Sequence, residues 1–167
     1  MLRAAIIGTG NIGTDLMLKA RKSRNLKVTN FIGRRPDSPG ITLANSMGIR
    51  TSDSGIDELL KIADDIDVVF DATSATDHLL HDRELKTVEL LMLNMTPAAV
   101  GEFYIPGVTS LRRDGGYQNV NLVTCGGQTS IPLLSALSRE VHPNFPISNT
   151  ELVSTLASPS AGPATRR

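Results

Sequence analysis

Six residues near the start constrain this chain most. Leu2 to Ile7 form an apolar run that leads straight into Gly8-Thr9-Gly10-Asn11-Ile12-Gly13. A strand, three spaced glycines and a helix in that order are what a dinucleotide site requires. The first glycine permits the tight turn and the second lets backbone approach a pyrophosphate. The third lets the helix pack near the strand, while the helix N-terminus offers free N–H groups and positive dipole. A bare G-x-G-x-x-G also arises by chance. Here Ile12, Leu16 and Ala20 follow at i, i+4 spacing, which supplies the expected helix.

The rest of the chain alternates strand and helix. LKVTNFIG, residues 26–33, reads as a second strand, and a helix over 41–47 ends at Gly48 before a short strand at 49–51. Asp53 or Ser54 caps a helix carrying Ile56, Leu59, Leu60 and Ala63, and residues 66–71 read as a buried parallel strand. A helix over 76–90 leads to a strand at 91–93. A long connection follows, with a short helix near 108–112, then a strand over 119–124 and a helix over 129–139 with Pro132 in its first turn. The expected fold is α/β, a Rossmann-like doubly wound parallel sheet. Small-residue loops at 71–75 and 94–99 fall on the carboxyl edge, where such sheets bind ligands.

Composition excludes several classes. At 167 residues the chain suits one domain, and 17 basic residues balance 17 acidic ones, so no net charge advertises nucleic acid or an anionic membrane. The basic run Lys19, Arg21, Lys22, Arg24 and Lys27 reads as a solvated helix end. No apolar stretch nears the ~20 residues that span a bilayer, and the expected location is cytoplasmic. One cysteine permits neither an internal disulfide nor a Cys-based metal site. His78 and His81 share a helix face, but without a third ligand they read as polar helix surface, and no metal is expected.

Two positions leave alternatives open. After the second strand, where an acidic side chain would read the 2′-hydroxyl of NAD, stand Arg34 and Arg35, which suit a 2′-phosphate. Asp37 also lies within reach of a ribose, and both arginines read equally well as exposed loop residues. Cys125 lies at a strand-to-helix turn beside Gly126 and Gly127. A lone cysteine is usually a small buried hydrophobe, but helix N–H groups at such a turn stabilise a thiolate and a developing oxyanion.

The stretches AAIIGTGNIGTDLM, DIDVVFDATSATDH, MTPAAVG, VNLVTCGGQTSIP and SAGPATR together resemble the acylating acetaldehyde dehydrogenases of aromatic meta-cleavage pathways. That family converts acetaldehyde and CoA to acetyl-CoA with NAD, and the matches run in the family's order from end to end. The resemblance implies that Cys125 is the acyl-thioester nucleophile and that Thr9, Gly10, Asn11 and Ile12 belong to the cofactor loop. It also implies a second cofactor segment, Ser160, Ala161, Gly162, Pro163, Ala164, Thr165 and Arg166, which composition alone reads as a disordered tail.

The same resemblance implies NAD as cofactor, CoA as co-substrate, a homo-oligomer, and a 4-hydroxy-2-oxovalerate aldolase as partner. It divides the chain into a dinucleotide-binding domain, 1–125, and the beginning of a truncated α+β catalytic and dimerisation domain, 126–167, with residues 151–157 as a strand of that domain. Asn94 and Arg34 depart from acidic residues common in the family, and family members are nearly twice as long. A catalytically incomplete nucleotide-binding module or remnant is the alternative. His78 and His142 are candidate bases, yet no spacing brings either to Cys125.

Overall fold

The computed structural model describes residues 1–111, 115–141, 147–153 and 155. Strands form at β1 (Leu2–Ile7), β2 (Leu26–Ile32), β3 (Arg50–Ser52), β4 (Val68–Asp71), β5 (Leu91–Asn94), β6 (Glu102–Phe103) and β7 (Gln118–Asn121). Helices form at α1 (Asn11–Ala20), α2 (Pro39–Ser46), α3 (Ile56–Lys61), α4 (Ala75–Leu85) and α5 (Cys125–Val141), with a 3₁₀ turn at Ala63–Asp65. All described pairings are parallel, in the order β3-β2-β1-β4-β5-β7-β6.

Parallel strands are buried on both faces, which is why β1 and β4 read as continuous apolar runs. Ala5 and Ile7 of β1 point into a core with Leu59, Val69, Leu85 and Met92, whereas Ile6 points the other way, into a core with Met17, Phe31, Ala44 and Ile49. The period of two along the strand thus divides β1 between helices on opposite faces of the sheet.

The chain leaves β1 toward β2 and β3 on one side and returns to β4 and β5 on the other. The carboxyl ends of β1 and β4 therefore flank the switch point, where open α/β sheets form their crevice. Gly8 turns the chain there with φ +110°, and a Cβ on it would meet Ala72 O at 2.6 Å. A Cβ on Gly13 would overlap the Gly8 carbonyl, so α1 packs at backbone distance from the loop.

Element boundaries depart from the sequence expectations for local reasons. Helix α5 starts at Cys125 rather than residue 129, because Thr124 Oγ1 accepts from Gly127 N at 3.1 Å and brings the glycine pair into the first turn. Strand β7 stops at Asn121 instead of 124, and α4 stops at Leu85 instead of 90. Helix α3 is preceded by Gly55 with no side-chain cap; Gly55 N donates to Gly33 O at 2.9 Å, tying α3 to the end of β2. The helix expected near 108–112 is a turn, closed by Thr109 Oγ1 accepting from Ile105 N at 2.8 Å, up to residue 111; residues 112–114 lie outside the described ones. Residues 151–153 and 155 form no strand, and 154, 156 and 157 lie outside the described residues.

The three loop glycines separate packing from ligand space. Gly13→Ala should destabilise the fold by about 1–3 kcal/mol, since the added methyl must displace backbone. Gly10→Ala should leave urea unfolding unchanged, because no atom lies within 4 Å of a Cβ there. Equal losses in both variants would contradict this packing.

Candidate active site

A cleft of about 730 Å³ opens at the switch point. Gly8 to Asn11 form one wall, Arg34, Arg35 and Gly40 a second, and Ala72 to Ser74 with Asp77 a third. The walls are braced against one another. Ser38 Oγ donates to Thr9 Oγ1 at 3.0 Å while accepting from Ile41 N to cap α2. Ser74 Oγ accepts from Asp77 N at 3.1 Å, and Arg34 donates to both Asp77 oxygens at 2.9 and 3.0 Å, bridging the end of β2 to the start of α4.

The cleft fits a dinucleotide. No side chain caps α1, whose N-cap is Gly10, and a Cβ on Gly10 would point into open space. Backbone can therefore approach a pyrophosphate at that point, as the glycine spacing requires. Thr9, Gly10 and Asn11 all border the cleft; Ile12 is half-exposed beside them.

Behind the cleft runs a row of buried polar side chains that close three neighbouring strands. Asp71, Asn94 and Asn121 are in register across β4, β5 and β7, and each is nearly or wholly buried. Each accepts from the amide two residues on: Thr73 N at 3.0 Å, Thr96 N at 2.8 Å and Val123 N at 2.7 Å. These Asx turns take the chain off each strand at the same level. Asn94 and Asn121 also donate their amides to Ala98 O and Val100 O, gathering the loop after β5 under both strands. A carboxylate at Asn94 has no hydrogen to make those bonds.

His78 and His81 are not surface residues, contrary to the sequence expectation. His78 is fully buried and His81 nearly so, and both present Nδ1 to Asp71 Oδ2 at 2.9 Å. The buried stripe of α4 is His78, His81, Asp82 and Leu85, while Leu79 and Leu80 are exposed. Asp82 can only accept, so Asn119 turns its amide nitrogen to it at 2.7 Å, and the same nitrogen lies 3.0 Å from His78 Nε2. That contact makes Nε2 the acceptor and leaves Nδ1–H to donate to Asp71. His81 borders the cleft.

Charge in this network is held by hydrogen bonds. Burial, the largest single effect, pushes the Asp71 carboxyl up, but bonds from His78, His81 and Thr73 outweigh it and hold it well below the usual carboxylate range. Asp82 is likewise lowered, burial being overcome by Asn119, Lys86 and Tyr117. The Tyr117 phenol, which donates to Asp82 at 3.0 Å, is pushed up by burial and then by that carboxylate.

Cys125 is exposed and is the first residue of α5. The turn before it is sharp: Val123 has φ +51°, the left-handed region that β-branched residues rarely enter. The Asn121 Asx turn holds it there. Gln128 Nε2 donates to Tyr104 O at 2.9 Å and Leu122 O at 2.8 Å, pinning the helix to the loops beneath. Among the N–H groups of this first turn, that of Gly127 already donates to Thr124 Oγ1 at 3.1 Å.

Cys125 does not border the cleft. Three strand spacings of about 4.8 Å place the end of β7 roughly 14 Å from the end of β1 along the same edge. The second expected cofactor segment, Ser160 to Arg166, and His142 lie outside the described residues. Sequence reasoning missed the Asx row and the buried histidines. Their signals are Asp71-Ala72-Thr73 and Asn94-Met95-Thr96, each an Asx two residues before threonine at a strand end, and the 78-81-82-85 helix spacing.

The parallel order, the switch point and the glycine loop define a Rossmann-like α/β protein. In solved structures the fold recurs in RSP crystallised with beta-NAD+ and operator DNA, at TM-score 0.50 and 15% identity over 86% of this chain and 58% of that one. By sequence the chain is a homologue of the acetaldehyde dehydrogenases. It is 48% identical to one from Pectobacterium atrosepticum over 99% of this chain and 55% of that protein. To one from Spirochaeta aurantia it is 46% identical over 99% and 54%. Residues 125–167 match the family model for prokaryotic acetaldehyde dehydrogenase, dimerisation. The chain spans about half the length of the curated relatives it matches. No helix among the described residues is long and apolar enough to cross a membrane.

The network carries a pH prediction. Folding lowers the Asp71 and Asp82 carboxyls, so their contribution is complete above the ordinary range near pH ~4 and is lost as acid titrates them. The urea midpoint should fall from pH 5 toward pH 3. Asp71→Asn should cost about 2 kcal/mol or more at pH 7 and flatten that acid limb. An unchanged limb in the variant would contradict the assignment.

Proposed function

We propose that this chain carries the dinucleotide cleft and the nucleophile of an acylating aldehyde dehydrogenase acting on acetaldehyde or another short aldehyde. The observation that supports it most is the placement of an exposed Cys125 at the first position of a helix, on the same sheet edge as the Gly8–Gly13 loop. The homologues named acetaldehyde dehydrogenase and the beta-NAD+ bound by RSP add support.

In this reading the Cys125 thiolate adds to the aldehyde carbon, and the resulting alkoxide faces the Gly126 N–H at the helix start. A bound nicotinamide dinucleotide, NAD in the form the resemblance implies, would supply the two-electron oxidant that turns the thiohemiacetal into the thioester, and the Gly8 to Ile12 loop would hold it. The Cys125 thioester then yields its acyl group to the CoA thiol, and the Cys125 thiolate leaves. Thr124, Asn121 and Gln128 keep the sulfur at the edge, while Gly8 to Ile12 hold the pyrophosphate. Ser160 to Arg166 form a second cofactor contact, as the family segment SAGPATR implies.

Residues 1–125 serve as the dinucleotide-binding domain, and 126–167 begin the catalytic and dimerisation domain. The whole protein works in the cytoplasm as a homo-oligomer with a 4-hydroxy-2-oxovalerate aldolase as partner. The alternative is a nucleotide-binding module without turnover, and the observation that favours it is that Cys125 does not border the cleft.

Alkylation separates the two readings. Iodoacetamide should modify Cys125 in the folded chain, since the thiol is exposed. CoA-dependent NADH formation from acetaldehyde by the 167-residue chain alone should be slow or absent. Activity should appear when the remaining length of a relative is supplied, and Cys125→Ser should abolish it. A Cys125 inert to iodoacetamide would overturn the enzyme reading.

A further inference from the structure

We propose that the cleft takes the 2′-phosphorylated dinucleotide, NADP, in preference to NAD, with Arg34 and Arg35 as the groups that receive the 2′-phosphate. The inference rests on the dinucleotide reading of the cleft and adds its specificity.

The position is set by backbone. Gly33 N donates to Ser52 O at 2.8 Å, and a Cβ on Gly33 would meet Thr9 at 2.7 Å, so the end of β2 is pressed against the glycine loop. With a pyrophosphate at the start of α1, the adenine ribose of a dinucleotide lies beside the residues that follow β2. Those residues are Arg34 and Arg35, and both border the cleft.

A ribose 2′-hydroxyl calls for a carboxylate at this place, and the two residues that follow Gly33 are arginines instead. Asp37, the only acidic residue between β2 and α2, pairs with Arg35 at 3.2 Å and does not border the cleft. Asp77 does border it, but both of its oxygens are taken by Arg34, and one also accepts from Ser74 at 2.8 Å. Asp15 pairs with Lys19 at 2.6 Å.

The arginines are differently placed. Each gives two donors to a carboxylate and keeps the rest of its donor fork, and their side chains are 73% and 75% exposed. Exposed pairs of this kind open at little cost. A phosphate dianion therefore finds two guanidinium groups with donors to spare, whereas a bare hydroxyl meets carboxylates already engaged by cationic side chains. Arg34 is steadied by Asp77 across the cleft mouth, which holds one of the two in place before the ligand arrives.

The test is titration calorimetry of the 167-residue chain with NADP+ and with NAD+ at low salt. NADP+ should bind at least about tenfold more tightly, with a ratio that narrows as salt rises. In Arg35→Asp the order should reverse, and in Arg34→Ala the ratio should shrink. Both variants should keep the parent's far-ultraviolet circular dichroism, since both side chains are exposed. Competition by 2′,5′-ADP but not by 5′-AMP at equal concentration would support the phosphate contact directly. NAD+ binding as tightly as NADP+, or a ratio that neither variant changes, would overturn the inference while leaving the cleft a dinucleotide site. Binding of neither dinucleotide would overturn both.

Discussion

The carboxyl edge of this sheet depends on three buried polar side chains at one level. Asp71, Asn94 and Asn121 lie in register on adjacent strands, and each holds the amide two residues beyond it. Burying such groups costs several kcal/mol unless they are satisfied, so each member of the row is stable only with its own bonds made. It therefore specifies where β4, β5 and β7 stop and how the next loops leave. Without it, Val123 would have no reason to hold φ +51° ahead of Cys125.

Two kinds of backbone economy meet at that edge. On the β1 side, space is made by deletion: Gly8 and Gly13 remove side chains that would overlap backbone, and Gly10 leaves room for a ligand. On the β7 side, space is made by bonding: Asn121, Thr124 and Gln128 hold the turn that exposes the thiol. Between them, Asp71 gathers His78 and His81 beneath the loop that walls the cleft. The edge is anchored by these hydrogen bonds, while Arg34, Arg35 and Cys125 remain exposed.

The sheet was legible in the sequence because parallel strands announce themselves as apolar runs, and β1, β2, β4 and β5 are such runs or short versions of them, whereas β7 has Val120 as its one apolar residue. The glycine loop was legible because its residues have no other common use in that order. The strand ends were misread by up to three residues, since an Asx turn is carried by one side chain and leaves no periodicity. Edge strand β6, two residues long, carries no pattern at all. Helix α4 inverts the usual rule. Its inner face carries two histidines and an aspartate satisfied by β4 and β7 beside Leu85, while Leu79 and Leu80 face outward, so a reading from hydrophobicity alone turns the helix the wrong way.

Amide hydrogen exchange followed by NMR tests the Asx row most directly. The N–H groups of Thr73, Thr96 and Val123 lie in loops, yet each donates to a buried strand-end side chain. They should exchange as slowly as amides within β4 and β5, and Asn121→Ala should release Val123 while leaving Thr73 protected. Exchange of all three at the rate of Gly107, in an open turn, would show that the edge is not held in this way.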